Sequence, residues 1–264
     1  YDNLGVSYTR NFGIERCECD YILFLDSDDI LKNNIVEIIK EKISEEDYDM
    51  VLYDAEIKCE NGFVRNYNSY DRSKYFSMNQ MTGQEFLVRS FPDCYSTVIY
   101  LAVYKKEYLY EKKIQFQAEV SYSEDAIFIV ESLLKADKIY YIPLKLYIRR
   151  IRENSIMTSE LNIKKVRDSI IVADKMAGII CSYLHDSKNY IDKYVSLVLF
   201  HYNAALQLQV LADNKMFHIS INDKKCYLQS LVCFLNETLI IWKKGDNISN
   251  IYMAFNLLKS YEKL

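Results

Sequence analysis

The sequence predicts an α/β fold followed by an all-helical C-terminal region, and three observations carry that prediction. From Tyr1 to about Ile156 short apolar runs alternate with amphipathic stretches, the pattern of strands and helices packed in layers. Beyond Ser159 the strand signals fade and stretches of helical period take over. Only six glycines and two prolines occur in 264 residues, in keeping with long helices and few elaborate loops.

Taken in order, Asn11 to Arg16 continues a helix, Tyr21 to Leu25 reads as a buried parallel strand, and Ile30 to Ser44 has helical spacing through Ile35, Ile38, Ile39 and Ile43. Met50 to Ile57 reads as the next strand. Thr82-Gly83-Gln84-Glu85 resembles a capping box opening a helix through Phe86, Leu87 and Val88. Asp125 to Lys135 is a further helix, and a strand at Ile139 to Ile142 ends at Pro143. Helical stretches follow at about 162–184, 189–212, 224–243 and 248–261. These patterns divide the chain into a catalytic domain over residues 1–157 and a helical region over 158–264. Segments 58–81 and 93–122 read as loops that carry no readable code.

Composition excludes several classes. A net charge of −4 supplies no basic field for nucleic acid. No window offers the roughly 20 uninterrupted apolar residues that span a bilayer. Leu228 to Trp242 is interrupted by Asn236, Glu237 and Thr238 and reads as a buried helix. Seven cysteines, an odd number without zinc-ligand spacing, point to structural thiols in a reducing, cytoplasmic compartment. His185, His201 and His218 have no acidic motif near them and read as core or surface residues. Tyrosine is abundant at 24 residues, which suits either a sugar-binding cleft or a plain composition bias.

The chemistry concentrates in Asp26-Ser27-Asp28-Asp29, at the end of the first apolar strand. Open α/β sheets place ligands at the C-terminal ends of their strands. Three carboxylates within four residues repel one another unless a cation joins them, and hard divalent cations such as Mg²⁺ or Mn²⁺ take oxygen ligands. The alternative is that Ser27 or Asp29 caps a helix beginning near Leu31.

Three further segments join this motif. Asn3-Leu4-Gly5-Val6-Ser7-Tyr8-Thr9-Arg10-Asn11-Phe12-Gly13-Ile14 precedes it, and Ser123-Glu124-Asp125 heads a later helix. Tyr147-Ile148-Arg149-Arg150-Ile151-Arg152-Glu153-Asn154-Ser155-Ile156 follows. In order and wording these segments resemble family 2 of the nucleotide-sugar glycosyltransferases, which have the GT-A fold, a Rossmann-like α/β architecture. The resemblance covers about residues 1–157 and departs at Thr9, where the family has Ala. Members carry a further segment before this point, holding the first strand and the nucleotide-base pocket, so the resemblance implies an N-terminally truncated chain.

The resemblance implies an inverting transfer from a nucleotide-sugar donor, a UDP-sugar foremost, to a glycan or lipid-linked acceptor in polysaccharide biosynthesis. Asp28 is then the metal ligand for Mn²⁺ or Mg²⁺, Asp26 faces the ribose or donor sugar, and Asp29 is a supporting or alternative ligand. Asp125 matches the general base and Glu124 orients it or the acceptor, although acids at a helix N-terminus are also ordinary caps. Arg10 and Asn11 match the Arg-Asn pair near the carboxylates, and Arg152 and Ser155 align with the downstream motif toward the diphosphate. The helical tail is a candidate for covering the acceptor cleft, for homodimerisation or for peripheral membrane contact. Two other classes compete: a non-catalytic sugar-nucleotide-binding or assembly subunit, and a haloacid-dehalogenase-like phosphatase, in which Asp26 would be the nucleophile.

Overall fold

A computed structural model describes residues 5–59, 64–151, 162–184, 190–214, and 229, 231, 232 and 234. The chain divides into two compact units, one of residues 1–118 with 128–159 and the other of 119–127 with 160–264.

The first unit contains a seven-stranded sheet. Its main path runs β1 (Tyr21–Leu23), β6 (Ala102–Lys105), β3 (Met50–Cys59), β7 (Ile139–Ile151) and β2 (Ile30–Leu31). Off this path β4 (Val64–Arg65) pairs with β3 and β5 (Asn79–Met81) with β7. The long central pair β3 and β7 is parallel, and every other pairing is antiparallel. Met50 to Ala55 of β3 are all buried, as a strand covered on both faces requires. The first strand differs from its prediction: β1 spans Tyr21–Leu23, pairs antiparallel with β6, and buries only Ile22. It stands at one end of the sheet path.

Proline does not end β7. Pairing skips from Tyr53↔Ile142 to Asp54↔Lys145, so Pro143 lies in the extra residues of a bulge. No ladder partner there needs the N–H that proline lacks. Ile30 also departs from the helical reading: it is strand, opposite Ile148, and α2 (Ile35–Glu45) begins only after Asn34.

Helix α1 (Val6–Arg16) starts at Gly5, whose φ of +89° favours glycine. Thr9 Oγ1 donates to the Gly5 carbonyl at 2.9 Å on an exposed surface, so the departure from alanine is accommodated without a packing change. Helix α3 (Gly83–Ser90) is capped by Thr82 Oγ1, which accepts from Glu85 N at 3.1 Å. The reciprocal half of the predicted box is replaced by a Glu85–Arg89 ion pair at 3.0 Å.

The sequence gives no code for residues 93–122, yet they hold a 3₁₀ turn (Ile99–Leu101), β6 and α4 (Lys106–Glu111). Much of the tyrosine serves the core. Tyr53, Tyr104, Tyr141, Tyr147, Tyr194 and Tyr202 are among the largest fully buried side chains.

In the second unit α6 (Ile163–Leu184) packs on α7 (Ile191–Asn214). Segment 119–127, read from sequence as catalytic domain, belongs with these helices. Ser121 N and Oγ both donate to the buried Asp168 at 3.0 Å, and Lys175 pairs with Glu119 at 2.8 Å. The helical stretches predicted at 224–243 and 248–261 lie largely or wholly outside the described residues. Among the described residues no helix is long and apolar enough to cross a membrane.

Candidate active site

The chain leaves β1 through Phe24, whose ring meets Tyr104, Phe116 and Phe128 edge-on at 5.6–5.9 Å. Phe116 and Phe128 themselves stack at 4.0 Å. This aromatic floor anchors the strand end, and the next residues turn sharply, with Asp29 N donating to Asp26 O at 3.0 Å. The turn feeds directly into β2, so neither Ser27 nor Asp29 caps α2.

The three carboxylates meet different fates. Asp26 Oδ1 lies 3.4 Å from Arg10 Nη2, and the Arg10 guanidinium rests 5.3 Å from the Phe116 ring centre. Asp29 is held on both oxygens: the Tyr147 hydroxyl donates to Oδ2 at 2.8 Å and Arg150 N to Oδ1 at 2.8 Å. Burial raises the Asp29 pKa, against the lowering effect of those two donors. Asp28 contributes only its main-chain carbonyl, which accepts from Arg150 Nε. Its carboxylate has no hydrogen bond or ion pair among the described residues.

Asn11 is fully engaged elsewhere. Its Nδ2 donates to Phe116 O at 2.8 Å and its Oδ1 accepts from Phe116 N at 2.9 Å, clamping α1 to a segment 105 residues away. Asn11 therefore serves as a structural bridge between α1 and Phe116. Arg149 donates to the Tyr70 hydroxyl at 2.6 Å, and the Tyr70 and Tyr100 hydroxyls lie 3.0 Å apart.

Sequence reading missed Tyr147 as a contributor to this turn. Besides donating to Asp29 it accepts from Asp26 N at 3.2 Å, and its ring stacks on Tyr100 at 4.4 Å. Burial, with the bond to Asp29, raises the Tyr147 pKa far above the ordinary phenol range, so the hydroxyl stays a donor. The signal was present in the Tyr-x-x-Arg wording, but its partner lies 118 residues earlier.

Glu124 and Asp125 open α5 (Glu124–Lys135), in the part of that helix belonging to the second unit. Ser123 turns the chain into it at φ 60°, an uncommon conformation for a residue with a side chain. Glu124 is buried and Asp125 half-buried. Arg152 and Ser155 lie outside the described residues.

The donor set suits a hard divalent cation, since such ions take one or two protein carboxylates and complete their shell with phosphate and water. Among the described residues Asp28 is the one acid of the turn whose carboxylate has no partner. Among the described residues no group of three His, Cys, Asp or Glu side chains forms an all-protein cage.

Comparison with known proteins agrees with this layout. Residues 2–104 match the family model Glycosyl transferase family 2. Glycosyltransferase GlyG of Streptococcus pneumoniae serotype 4 is 28% identical over 233 residues, 81% of this chain and 70% of that protein. YibD of Escherichia coli K12, an uncharacterized glycosyltransferase, is 22% identical over 204 residues, and the chain spans 57% of its length. The crystal structure of S. aureus TarS 1-349 in complex with UDP-GlcNAc superposes with a TM-score of 0.61 at 16% identity, covering 98% of this chain and 72% of that one. Residues 2–104 are thus similar to glycosyl transferase family 2, and the α/β fold is the GT-A-like fold of the TarS structures. Glycosyl transfer is the activity common to the names of these relatives. Asp26, the nucleophile the phosphatase alternative requires, is tied to Arg10.

Proposed function

We propose that this chain is an inverting glycosyltransferase that uses a UDP-sugar and a divalent cation to extend a glycan or a lipid-linked acceptor. One observation carries the reading: in a turn of three acids, Asp26 and Asp29 are engaged by the fold and the Asp28 carboxylate has no partner among the described residues. A carboxylate that stabilises nothing inside the protein is suited to a cation from outside it. The similar S. aureus TarS 1-349 structures in complex with UDP-GlcNAc and with UDP support a uridine diphosphate donor. Free thiols at Cys17, Cys19, Cys59, Cys94 and Cys181 support a reducing, cytoplasmic compartment, and burial pushes the Cys94 thiol up to about 11.

Bound at Asp28, Mn²⁺ or Mg²⁺ would supply neutralisation of the charge that grows on the departing diphosphate. Asp26, oriented by Arg10, faces the ribose or donor sugar, and Asp29 holds the turn from behind. Arg152 and Ser155 act toward the diphosphate. Asp125 takes the proton from the acceptor hydroxyl as its oxygen attacks the anomeric carbon, and Glu124 orients that base or the acceptor. A single in-line displacement inverts the anomeric centre.

Calorimetric titration of UDP with and without Mn²⁺ tests the site. Metal-dependent UDP binding in the parent, lost in Asp28→Ala, is the expected result. Absence of UDP binding in the parent under both conditions overturns the UDP-sugar assignment. Asp125→Asn should bind UDP as the parent does yet lose about 10²–10⁴-fold in transfer rate, the usual contribution of a general base.

A further inference from the structure

We propose that Tyr147 is a positioning residue that shapes the Asp26–Asp29 turn and thereby presents the Asp28 carboxylate to the cation; this rests on the metal-dependent reading above. A turn carrying three like charges in four residues resists compaction by mutual repulsion. Here one phenol holds both of its ends. The hydroxyl accepts the N–H of Asp26 at 3.2 Å and donates to the carboxylate of Asp29 at 2.8 Å, flanking the turn closed by Asp29 N to Asp26 O at 3.0 Å. With Arg150 N on the other oxygen, Asp29 is fixed as an acceptor and drawn down onto β7. Residue 28, between the two held ends, has its main chain fixed by Arg150 Nε and its side chain left over.

The phenol is itself immobilised. Tyr147 is fully buried, its ring lies nearly parallel to Tyr100 (12° between planes, 4.4 Å between centres), and Tyr100 continues through the Tyr70 hydroxyl to Arg149. The stack joins β7, the 3₁₀ turn before β6 and the segment after β4 behind one acidic turn. A rigid support of this kind sets ligand geometry without touching substrate, as outer-shell partners of metal ligands do.

The test is titration of Mn²⁺ into UDP-saturated protein, followed by the EPR signal of free Mn²⁺, on the parent, Asp28→Ala, Tyr147→Phe and Tyr100→Leu. Tyr147→Phe keeps the ring and its stack and removes only the hydroxyl. Expected is a loss of Mn²⁺ affinity of roughly 10-fold or more in Tyr147→Phe, a loss in the same direction in Tyr100→Leu, and metal-free UDP affinity equal to that of the parent in both. Parent-like Mn²⁺ affinity in Tyr147→Phe, with affinity lost in Asp28→Ala, overturns the positioning role alone. A parallel loss of metal-free and metal-dependent UDP binding in Tyr147→Phe overturns it also, by marking a general structural defect. Parent-like Mn²⁺ affinity in Asp28→Ala overturns the metal reading and the positioning role together. Tyr100→Leu supplies the same readout should Tyr147→Phe fail to fold.

Discussion

Two acidic sites on the same sheet treat their carboxylates in opposite ways. Asp54, at the β3 bulge, is 1% exposed and completely matched. Its oxygens accept from Arg72 Nε at 3.0 Å, Arg72 N at 3.0 Å and the Tyr141 hydroxyl at 2.7 Å. Arg72 in turn donates to the Tyr53 carbonyl and lies over the Phe86 and Tyr141 rings. At the Asp26–Asp29 turn, by contrast, the Arg10–Asp26 pair is longer, at 3.4 Å, and Asp26 is 42% exposed. A buried charge must have its lone pairs answered, whereas a half-exposed one need not. The comparison separates two kinds of acid in this chain: Asp54 is consumed by the fold, whereas among the described residues the Asp28 carboxylate has no partner.

The sharpest way to break that contrast is to delete each acid. Asp54→Ala leaves Arg72 buried and unpaired and should cost about 3–5 kcal/mol in urea unfolding. Asp28→Ala should leave the same unfolding curve within about 0.5 kcal/mol. Equal destabilisation by the two would erase the distinction.

Gly83→Ala comes next, because a Cβ there would sit 2.1 Å from the Leu133 carbonyl oxygen where α3 meets α5. Backbone on both sides cannot yield cheaply, so a loss of about 1–3 kcal/mol is expected in the same assay. Gly13→Ala, with open space around the added carbon, is the matched control.

A third outcome concerns the helical unit. Burial pushes the His201 imidazole from its ordinary 6.5 down to about 4. The unfolded chain therefore takes up a proton that the folded chain refuses between these values. Stability from this source is complete above pH 6.5 and is lost as pH falls toward 4. His201→Gln should flatten the thermal midpoint across that window. The smallest effect belongs to the exposed Glu85–Arg89 pair at 3.0 Å, where Arg89→Ala should cost no more than about 0.5 kcal/mol.

Much of the fold was legible because local signals agreed with tertiary demand. The apolar run of β3, the helical spacing of α5 and the Thr82 cap all reappear in the structure, since each is decided by neighbours in sequence. Segments 58–81 and 93–122 were not legible. β6 is only four residues long and owes its strand conformation to pairing with β1 and β3 on either side. Pro143 misled for the same reason, as its tolerance depends on a bulge formed with a strand some ninety residues away.

What the sequence by itself determined is the class of protein and the place of its acids: an apolar strand, three carboxylates at its end, and motifs in family order. What only the tertiary structure decided is the division of labour among those acids. Arg10 pairs with Asp26, the Tyr147 hydroxyl and the Arg150 main-chain N–H donate to Asp29 from more than a hundred positions away, and Asn11 is bonded to Phe116. Hydrogen bonds between residues separated by more than a hundred positions leave no periodic trace along a chain. Which carboxylate lacks a partner is therefore a property of packing, and among the described residues it is Asp28.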